Sequence, residues 1–187
     1  MAGVTGNMGP NTDKCDMAIR HRSGTEASVG SVLSMRSKGS GGTVKSYVVQ
    51  TEGHDVRLVI AERDRPKPGP KEVLVRLGAM SLNYHDKAVI RGDIPTAEGR
   101  VPMSDGSGAV VAIGTSVTQW REGDRVLSTF FPDWADGTIN IAKRRSVAGD
   151  TKDGVAAEYV VLPELSVTRQ PDGGSHAQAS TWDCCIV

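Results

Sequence analysis

Residues 108–126 of this chain have the sequence GAVVAIGTSVTQWREGDRV, and this stretch decides the fold. Five consecutive apolar residues lie between Gly108 and Gly114, which is typical of a buried β-strand. A polar turn follows, and Gly123 and Asp124 then precede a second strand-like run over residues 125–129. Glycine tolerates a positive φ, and an aspartate side chain can bond a nearby backbone amide. The stretch therefore predicts two strands and the turn that joins them, and it is a signature of fold, not of chemistry.

On both sides of this stretch the sequence predicts further short strands, separated by turn residues such as those of the proline-rich run 66–70. The predicted strands cover residues 47–49, 56–60, 73–77, 108–114, 125–129, 156–162 and 165–169. One short helix is predicted from Tyr84 to Arg91, with Asn83 as its N-cap, Asp86 as the acidic capping partner and Gly92 at its end. This pattern indicates a mainly β fold, a compact barrel or a sandwich, over residues 46–172, with an irregular loop at 133–153.

The first 45 residues differ from the rest of the chain. Glycine and serine are frequent there, no aromatic residue precedes Tyr47, and the apolar residues follow neither a helical nor a strand period. Such a segment buries too little apolar surface to offset the entropy of ordering it. We therefore expect a disordered leader over residues 1–45, with a flexible linker at 39–42.

Composition and charge exclude several classes of protein. The 187 residues carry 22 Lys and Arg against 22 Asp and Glu, so no net charge attracts nucleic acid or an anionic membrane. No run approaches the roughly 18 apolar residues that span a bilayer, and residues 1–20 lack the apolar core of a secretory signal. The three cysteines, at positions 15, 184 and 185, form no disulfide framework and suit a reducing compartment. These features predict a cytoplasmic protein.

Four motifs occur in an order that resembles a known family. They are SLNYHD at 81–86, SDGSGAVV at 104–111, the stretch 114–126, and AEYVV at 157–161. They resemble the N-terminal, GroES-like domain of medium-chain dehydrogenase/reductases, and FFPDW at 130–134 is similar to the zinc-independent, quinone-oxidoreductase-like alcohol dehydrogenases. The resemblance covers residues 46 to about 181. It implies a partly open, GroES-like β-barrel with one or two short helices, over residues 46–175.

The resemblance also bears on metal binding. Zinc members of this superfamily take ligands from positions that align with Asn83 and Ser104, and many add a lobe of four closely spaced cysteines. Asparagine and serine are poor zinc ligands, the lobe cysteines are missing, and the four histidines have no spacing that indicates a site. We therefore expect no zinc, and hydride transfer to or from a carbonyl, a quinone or an activated alkene.

The resemblance places the loop at Asn83–Asp86 against the nicotinamide and the substrate. Asn83 is then a residue that hydrogen-bonds the cofactor or the substrate, or it only caps the helix. Tyr84 is a candidate catalytic donor to a developing oxyanion, with a packed aromatic as the alternative. His85 is a candidate for proton transfer, or a histidine on the helix surface. Asp86 has a structural role.

A substrate pocket is expected around four further residues. Asp105 lies in the glycine-rich bend at 104–108, where it lines the cleft or belongs to a plain turn. Phe130, Phe131 and Trp134 form an aromatic cluster that can line an apolar pocket, with core or interface packing as the alternative.

The family holds NADP or NAD on a separate Rossmann domain, where a strand, a glycine-rich loop and a helix bind the pyrophosphate. This sequence contains no such motif. Residues 176–181 resemble the start of the family's continuation, whereas residues 182–187 depart from it, so 176–187 is predicted to be an aberrant tail and the chain to be truncated. We expect it to hold no cofactor tightly and to be inactive alone.

The sequence thus predicts the catalytic-side domain of an NAD(P)H-dependent oxidoreductase with a small-molecule substrate and no nucleic-acid or membrane partner. Two alternatives stay open. One is a non-catalytic GroES-like interaction module that forms a homo-oligomer, or a hetero-oligomer with a full-length paralogue. The other is a fragment of an enoyl reductase of polyketide or fatty-acid metabolism.

Overall fold

The computed structural model describes residues 42–52 and 55–182, and this part of the chain is mainly β. Its strands are β1 Thr43–Glu52, β2 Asp55–Asp64, β3 Glu72–Ser81, β4 Asp105–Ile113, β5 Arg125–Ser128, β6 Tyr159–Pro163 and β7 Val167–Arg169. Its helices are short: α1 Tyr84–Ile90, α2 Ile141–Arg144 and α3 His176–Ala179.

The strands form two antiparallel sheets. β1 and β2 pair as a hairpin, and the other five strands are arranged in the order β6-β3-β4-β5-β7. Two backbone hydrogen bonds join the hairpin to segments that connect strands of the larger sheet. Tyr47 N donates to Ala156 O (2.7 Å), and Val49 N donates to Arg100 O (2.8 Å). Branched aliphatic side chains fill the interior, and the most buried are Val73, Val75, Val110, Val126 and Val155. The predicted mainly β, partly open architecture is confirmed.

The stretch 108–126 forms the predicted pair of strands. Its first strand, β4, begins at Asp105, earlier than the sequence indicated, and ends at Ile113. Gly123 has a φ of +92°, and the Asp124 carboxylate accepts a hydrogen bond from Arg121 N at 3.1 Å. Both predictions for the turn that starts β5 are therefore confirmed.

Helix α1 also follows the sequence prediction. Asn83 is its N-cap, and Asn83 N donates to Asp86 Oδ2 at 2.8 Å. Arg91 is the C-cap, and Gly92 has a φ of +77° that ends the helix. The capping residues therefore fix where α1 begins and ends.

The predicted leader extends too far along the chain, because β1 begins at Thr43. Lys45 N donates to Glu158 Oε2 at 2.7 Å, and Lys45 O accepts from Glu158 N at 2.9 Å. Val44 is buried beside Leu74 and Tyr159. These contacts, which the local composition does not reveal, order residues 43–45. The rest of the predicted leader, residues 1–41, lies outside the described residues.

The predicted tail likewise begins too early, because α3 packs on β3 and β4. Ser81 Oγ donates to Ser180 O at 2.7 Å, and Ala179 is fully buried. Ser107 Oγ lies 2.8 Å from His176 Nδ1. Residues 176–180 are therefore part of the packed fold, whereas residues 183–187 lie outside the described part.

The segment at 133–153, predicted to be an irregular loop, contains the short helix α2, which Asn140 caps through its side chain.

Within the described ranges, we find no helix with both the length and the apolar character that a membrane crossing requires.

Candidate functional site

Asp86 joins the two sequence motifs at the centre of the site. Its side chain is 1% exposed, and its carboxylate accepts from Asn83 N at 2.8 Å and from Ser104 N at 3.1 Å. Burial raises the pKa of Asp86 above its usual value and the nearby Asp105 adds to the rise, while the N–H of Asn83 opposes it. One carboxylate thus holds the start of α1 against the start of β4.

Ser104 and Asp105 lie beneath the surface at this junction. Both are 0% exposed, and Ser104 Oγ donates to Asp105 Oδ1 at 2.7 Å. Ser128 Oγ donates to Ser104 O at 2.7 Å, which ties the bend to β5. The structure locates the Asp105 carboxylate in this buried network. That Asp105 lines a substrate pocket stays a prediction.

The residue before this pair has an unusual backbone conformation. Met103 has a φ of +73°, and it is the one non-glycine residue of the described ranges with a positive φ. Such a conformation is strained for a bulky side chain, and strain of this kind is concentrated at functional sites. Val155 N donates to Met103 O at 2.8 Å, so the surrounding chain holds the strained residue in place.

His85 lies at one end of a continuous row of aromatic rings. The imidazole meets the edge of Phe130 at 5.3 Å between centroids, Phe130 meets Phe131 at 4.8 Å, and Phe131 meets Trp134 at 6.0 Å. His85 Nε2 is buried and makes no hydrogen bond, and Asp150 Oδ2 is 3.5 Å away. The fold therefore brings together the candidate proton donor and the three aromatic residues predicted to line the pocket.

Asp150 was missed by the sequence analysis. It lies 65 residues beyond His85, inside the segment that was predicted to be irregular. No motif or spacing distinguishes it from the other acidic residues of that segment, so only the folded chain shows that it approaches His85.

Asn83 and Tyr84 lie at the N-terminus of α1. Tyr84 is 84% exposed among the described residues, and its two predicted roles, a catalytic donor and a packed aromatic, stay predictions. The side-chain Nδ2 of Asn83 is buried without a hydrogen-bond partner, whereas its backbone N–H donates to the Asp86 carboxylate. Buried donors are rarely left unpaired, so this amide suits a ligand that brings an acceptor.

The positions that the resemblance aligns with zinc ligands carry Asn83 and Ser104, whose side chains are poor donors to zinc. Within residues 42–52 and 55–182, no three His, Cys, Asp or Glu side chains are grouped closely enough to hold a metal ion. At the two positions aligned with zinc ligands, Asn83 presents an amide donor and the Ser104 hydroxyl donates to Asp105.

The fit to a nicotinamide dinucleotide is partial. The unpaired Asn83 amide suits an acceptor such as a carboxamide oxygen. In the described part of the chain, however, the strands pair antiparallel, and none is followed by the glycine-rich loop and helix that would bind a pyrophosphate. These residues can meet the reactive end of such a cofactor but do not hold its phosphates.

The family model for the alcohol dehydrogenase GroES-like domain matches residues 69–172. The chain belongs to that family. A zinc-type alcohol dehydrogenase-like protein of Schizosaccharomyces pombe is 37% identical over 146 residues, which cover 75% of this chain and 42% of that protein. The resemblance to medium-chain dehydrogenase/reductases is thereby confirmed.

Solved structures agree with this assignment. A protein of Sinorhizobium meliloti 1021, assigned as an alcohol dehydrogenase, superposes with a TM-score of 0.69 at 39% identity over 79% of this chain and 43% of its own. An NAD-dependent alcohol dehydrogenase superposes with a TM-score of 0.62 at 31% identity over 74% of this chain and 43% of its own. The GroES-like domain with its aromatic row and α1 spans about two fifths of the length of these relatives.

Proposed function

We propose that this GroES-like domain is the catalytic side of an NAD(P)-dependent oxidoreductase that interconverts a carbonyl group and an alcohol without zinc. The observation that carries the proposal is the row of rings that ends at His85, beside the unpaired amide of Asn83. The relatives named alcohol dehydrogenases, one of them NAD-dependent, support the reaction class.

Some residues of the site would bind the substrate or the cofactor, and others would donate a proton. Phe130, Phe131 and Trp134 offer an apolar wall to a substrate, and the Asn83 amide offers a hydrogen bond to an acceptor group. When bound, the nicotinamide supplies or accepts the hydride. A carbonyl oxygen that gains negative charge needs a proton donor, and His85 and the exposed Tyr84 hydroxyl are the candidates.

This arrangement favours carbonyl compounds that carry an apolar substituent. An aromatic wall gains free energy from burying apolar surface, about 25 cal/mol for each Å² removed from water. Negatively charged substrates would place their charge against ring faces, which are themselves electron-rich and cannot pair it. A flat quinone fits the same wall and is the second substrate class to be assayed.

Joining this chain to a nucleotide-binding domain tests the proposal. Residues 42–182 would be fused to the nucleotide-binding half of the Sinorhizobium meliloti relative, and oxidation of NADPH and NADH would be followed with apolar aldehydes, ketones and quinones. We expect turnover by the joined protein and none by either half alone. In the joined protein, His85→Ala should lower kcat by about 100-fold or more, since a positioned proton donor contributes that much.

The matched control is Asp136→Asn, which changes a carboxylate that is 95% exposed and pairs with Lys143, not with a residue of the aromatic row. It should leave kcat unchanged. A folded joined protein that binds NADPH but oxidises it with none of these substrates would contradict the proposed function.

A further inference from the structure

Asp150 approaches His85 from a different part of the chain. Its Oδ2 atom lies 3.5 Å from His85 Nε2, and the two side chains are only 11% and 19% exposed. The imidazole nitrogen has no hydrogen bond in this geometry, and hydrogen bonds in unliganded sites are often long and shorten when the substrate binds. A movement that brings the two atoms to about 2.8 Å would form a charge-assisted bond.

The backbone around Asp150 is fixed at several points. Thr96 Oγ1 donates to Asp150 O at 2.7 Å, and Gly149 N donates to Lys152 O at 3.0 Å. Gly149 has a φ of +86°, and a Cβ atom there would lie 2.6 Å from Met103 N. The turn that carries Asp150 is therefore packed against the strained residue that precedes Ser104.

The charged side chains near the pair of His85 and Asp150 have other partners. The cation nearest in sequence, Lys152, places its Nζ 3.6 Å from Asp133. Asp86, which follows His85 in α1, directs its carboxylate to Asn83 N and Ser104 N. Phe130 covers one side of the imidazole with an apolar ring. The Asp150 carboxylate is thus the acidic group that meets Nε2.

We propose that Asp150 is a positioning residue for His85, which holds the ring with its Nε2–H toward the carboxylate and leaves Nδ1 for proton exchange with the substrate. This inference rests on the proposed function for its chemical role. A carboxylate that accepts the far N–H of an imidazole fixes the tautomer and the orientation of the ring, and it stabilises the protonated ring.

The proton balance follows from this geometry. In carbonyl reduction, the protonated ring of His85 would give the Nδ1 proton to the substrate oxygen, and a reduced nicotinamide, when bound, would supply the hydride to the carbonyl carbon. The products would be the alcohol, the oxidised nicotinamide and a neutral ring that keeps its Nε2–H toward Asp150. In alcohol oxidation, Nδ1 would accept the hydroxyl proton, and the Asp150 carboxylate would keep accepting the Nε2–H bond.

Proton NMR of the imidazole N–H groups of the full chain tests the pairing without any cofactor. We expect a slowly exchanging Nε2–H signal from His85 in the unaltered chain, loss of that signal in Asp150→Ala, and its partial return in Asp150→Asn, whose amide oxygen still accepts. Asp136→Asn is the matched control in the same segment and should keep the signal, because its carboxylate pairs with Lys143.

The same variants in the joined protein test the chemical role. We expect Asp150→Ala to lower kcat by about 10- to 100-fold, with KM within a factor of two, because proton transfer contributes at least about 100-fold when its donor is held in place. Asp150→Asn should recover part of that loss. If Asp150 had only a structural role, Asp150→Ala would lower the midpoint of urea unfolding. It would not then lower kcat while leaving KM unchanged.

The outcomes are distinct. No His85 signal in the unaltered chain, or the same signal in Asp150→Ala, would overturn the pairing. An intact signal, with kcat unchanged in Asp150→Ala, would overturn the positioning role. An intact signal in a joined protein that turns over no substrate would overturn the proposed function, and with it the chemical role of the pair.

Discussion

Gly114→Ala is expected to destabilise the domain strongly. Gly114 is buried where the end of β4 crosses the proline-rich turn before β3. A Cβ atom there would overlap the carbonyl oxygen of Gly69 and lie 2.7 Å from Pro70 O. Backbone bonds from Gly114 N to Glu72 O (2.8 Å) and from Ser116 N to Pro70 O (2.7 Å) hold both segments in place, so the overlap has no easy relief.

We expect this substitution to cost more than about 4 kcal/mol of the free energy of unfolding, a large part of what a small domain has. Urea unfolding followed by circular dichroism measures it. Gly123→Ala is the matched control, because no atom lies within 4 Å of its added Cβ. Its φ of +92° should cost only about 1–2 kcal/mol. Equal stability of the Gly114 variant and the unaltered chain would contradict the packing of this turn.

Asp86→Ala is expected to have the next largest effect. The change removes the acceptor for two backbone donors, Asn83 N and Ser104 N, at a site that is 1% exposed. Each buried donor left unpaired costs about 1–3 kcal/mol, so the loss of the acceptor for both should lower the free energy of unfolding by about 2–6 kcal/mol in total. Asp93→Ala is the control, since its exposed pair with Arg91 contributes at most about 1 kcal/mol. Equal losses for the two variants would contradict the bridging role of Asp86.

The raised pKa of Asp86 also predicts how the free energy of unfolding changes with pH. Because burial raises its pKa in the folded chain, the folded state binds the proton more tightly than the unfolded state. The stabilisation by protonated Asp86 is therefore full below the unfolded pKa of 3.8 and is lost as the pH rises through the higher folded value. Comparing urea unfolding of the unaltered chain and Asp86→Asn across acidic pH should show this slope only in the former. A difference between the two that does not vary with pH would contradict the raised pKa.

The local elements of this fold could be predicted from the sequence. The Gly123-Asp124 turn and the α1 caps depend on residues close together in the chain, whose backbone preferences act wherever the chain folds. The start of β1 could not be predicted, since residues 43–45 are ordered by Glu158, more than a hundred residues away. The same holds for α3, whose attachment depends on Ser81 and Ser107.

The site was predictable in part for the same reason. The resemblance singled out Asn83, Tyr84, His85 and the aromatic residues, and the fold brings His85 into the row that Phe130, Phe131 and Trp134 form. That Asp105 is buried and Tyr84 exposed follows from tertiary packing, which a short motif does not encode. Asp150 meets His85 only because the turn at 147–152 folds back against Met103.

Deuterium transfer in the joined protein tests whether this domain completes a site for hydride transfer. NADPH and NADH with deuterium in place of both hydrogens at carbon 4 of the nicotinamide would be incubated with the joined protein and an apolar aldehyde, and the alcohol product would be examined by mass spectrometry and NMR. We expect one deuterium on the former carbonyl carbon, with no alcohol formed by the nucleotide-binding half alone. Alcohol without the label, or no alcohol from a folded joined protein that binds the nucleotide, would contradict it.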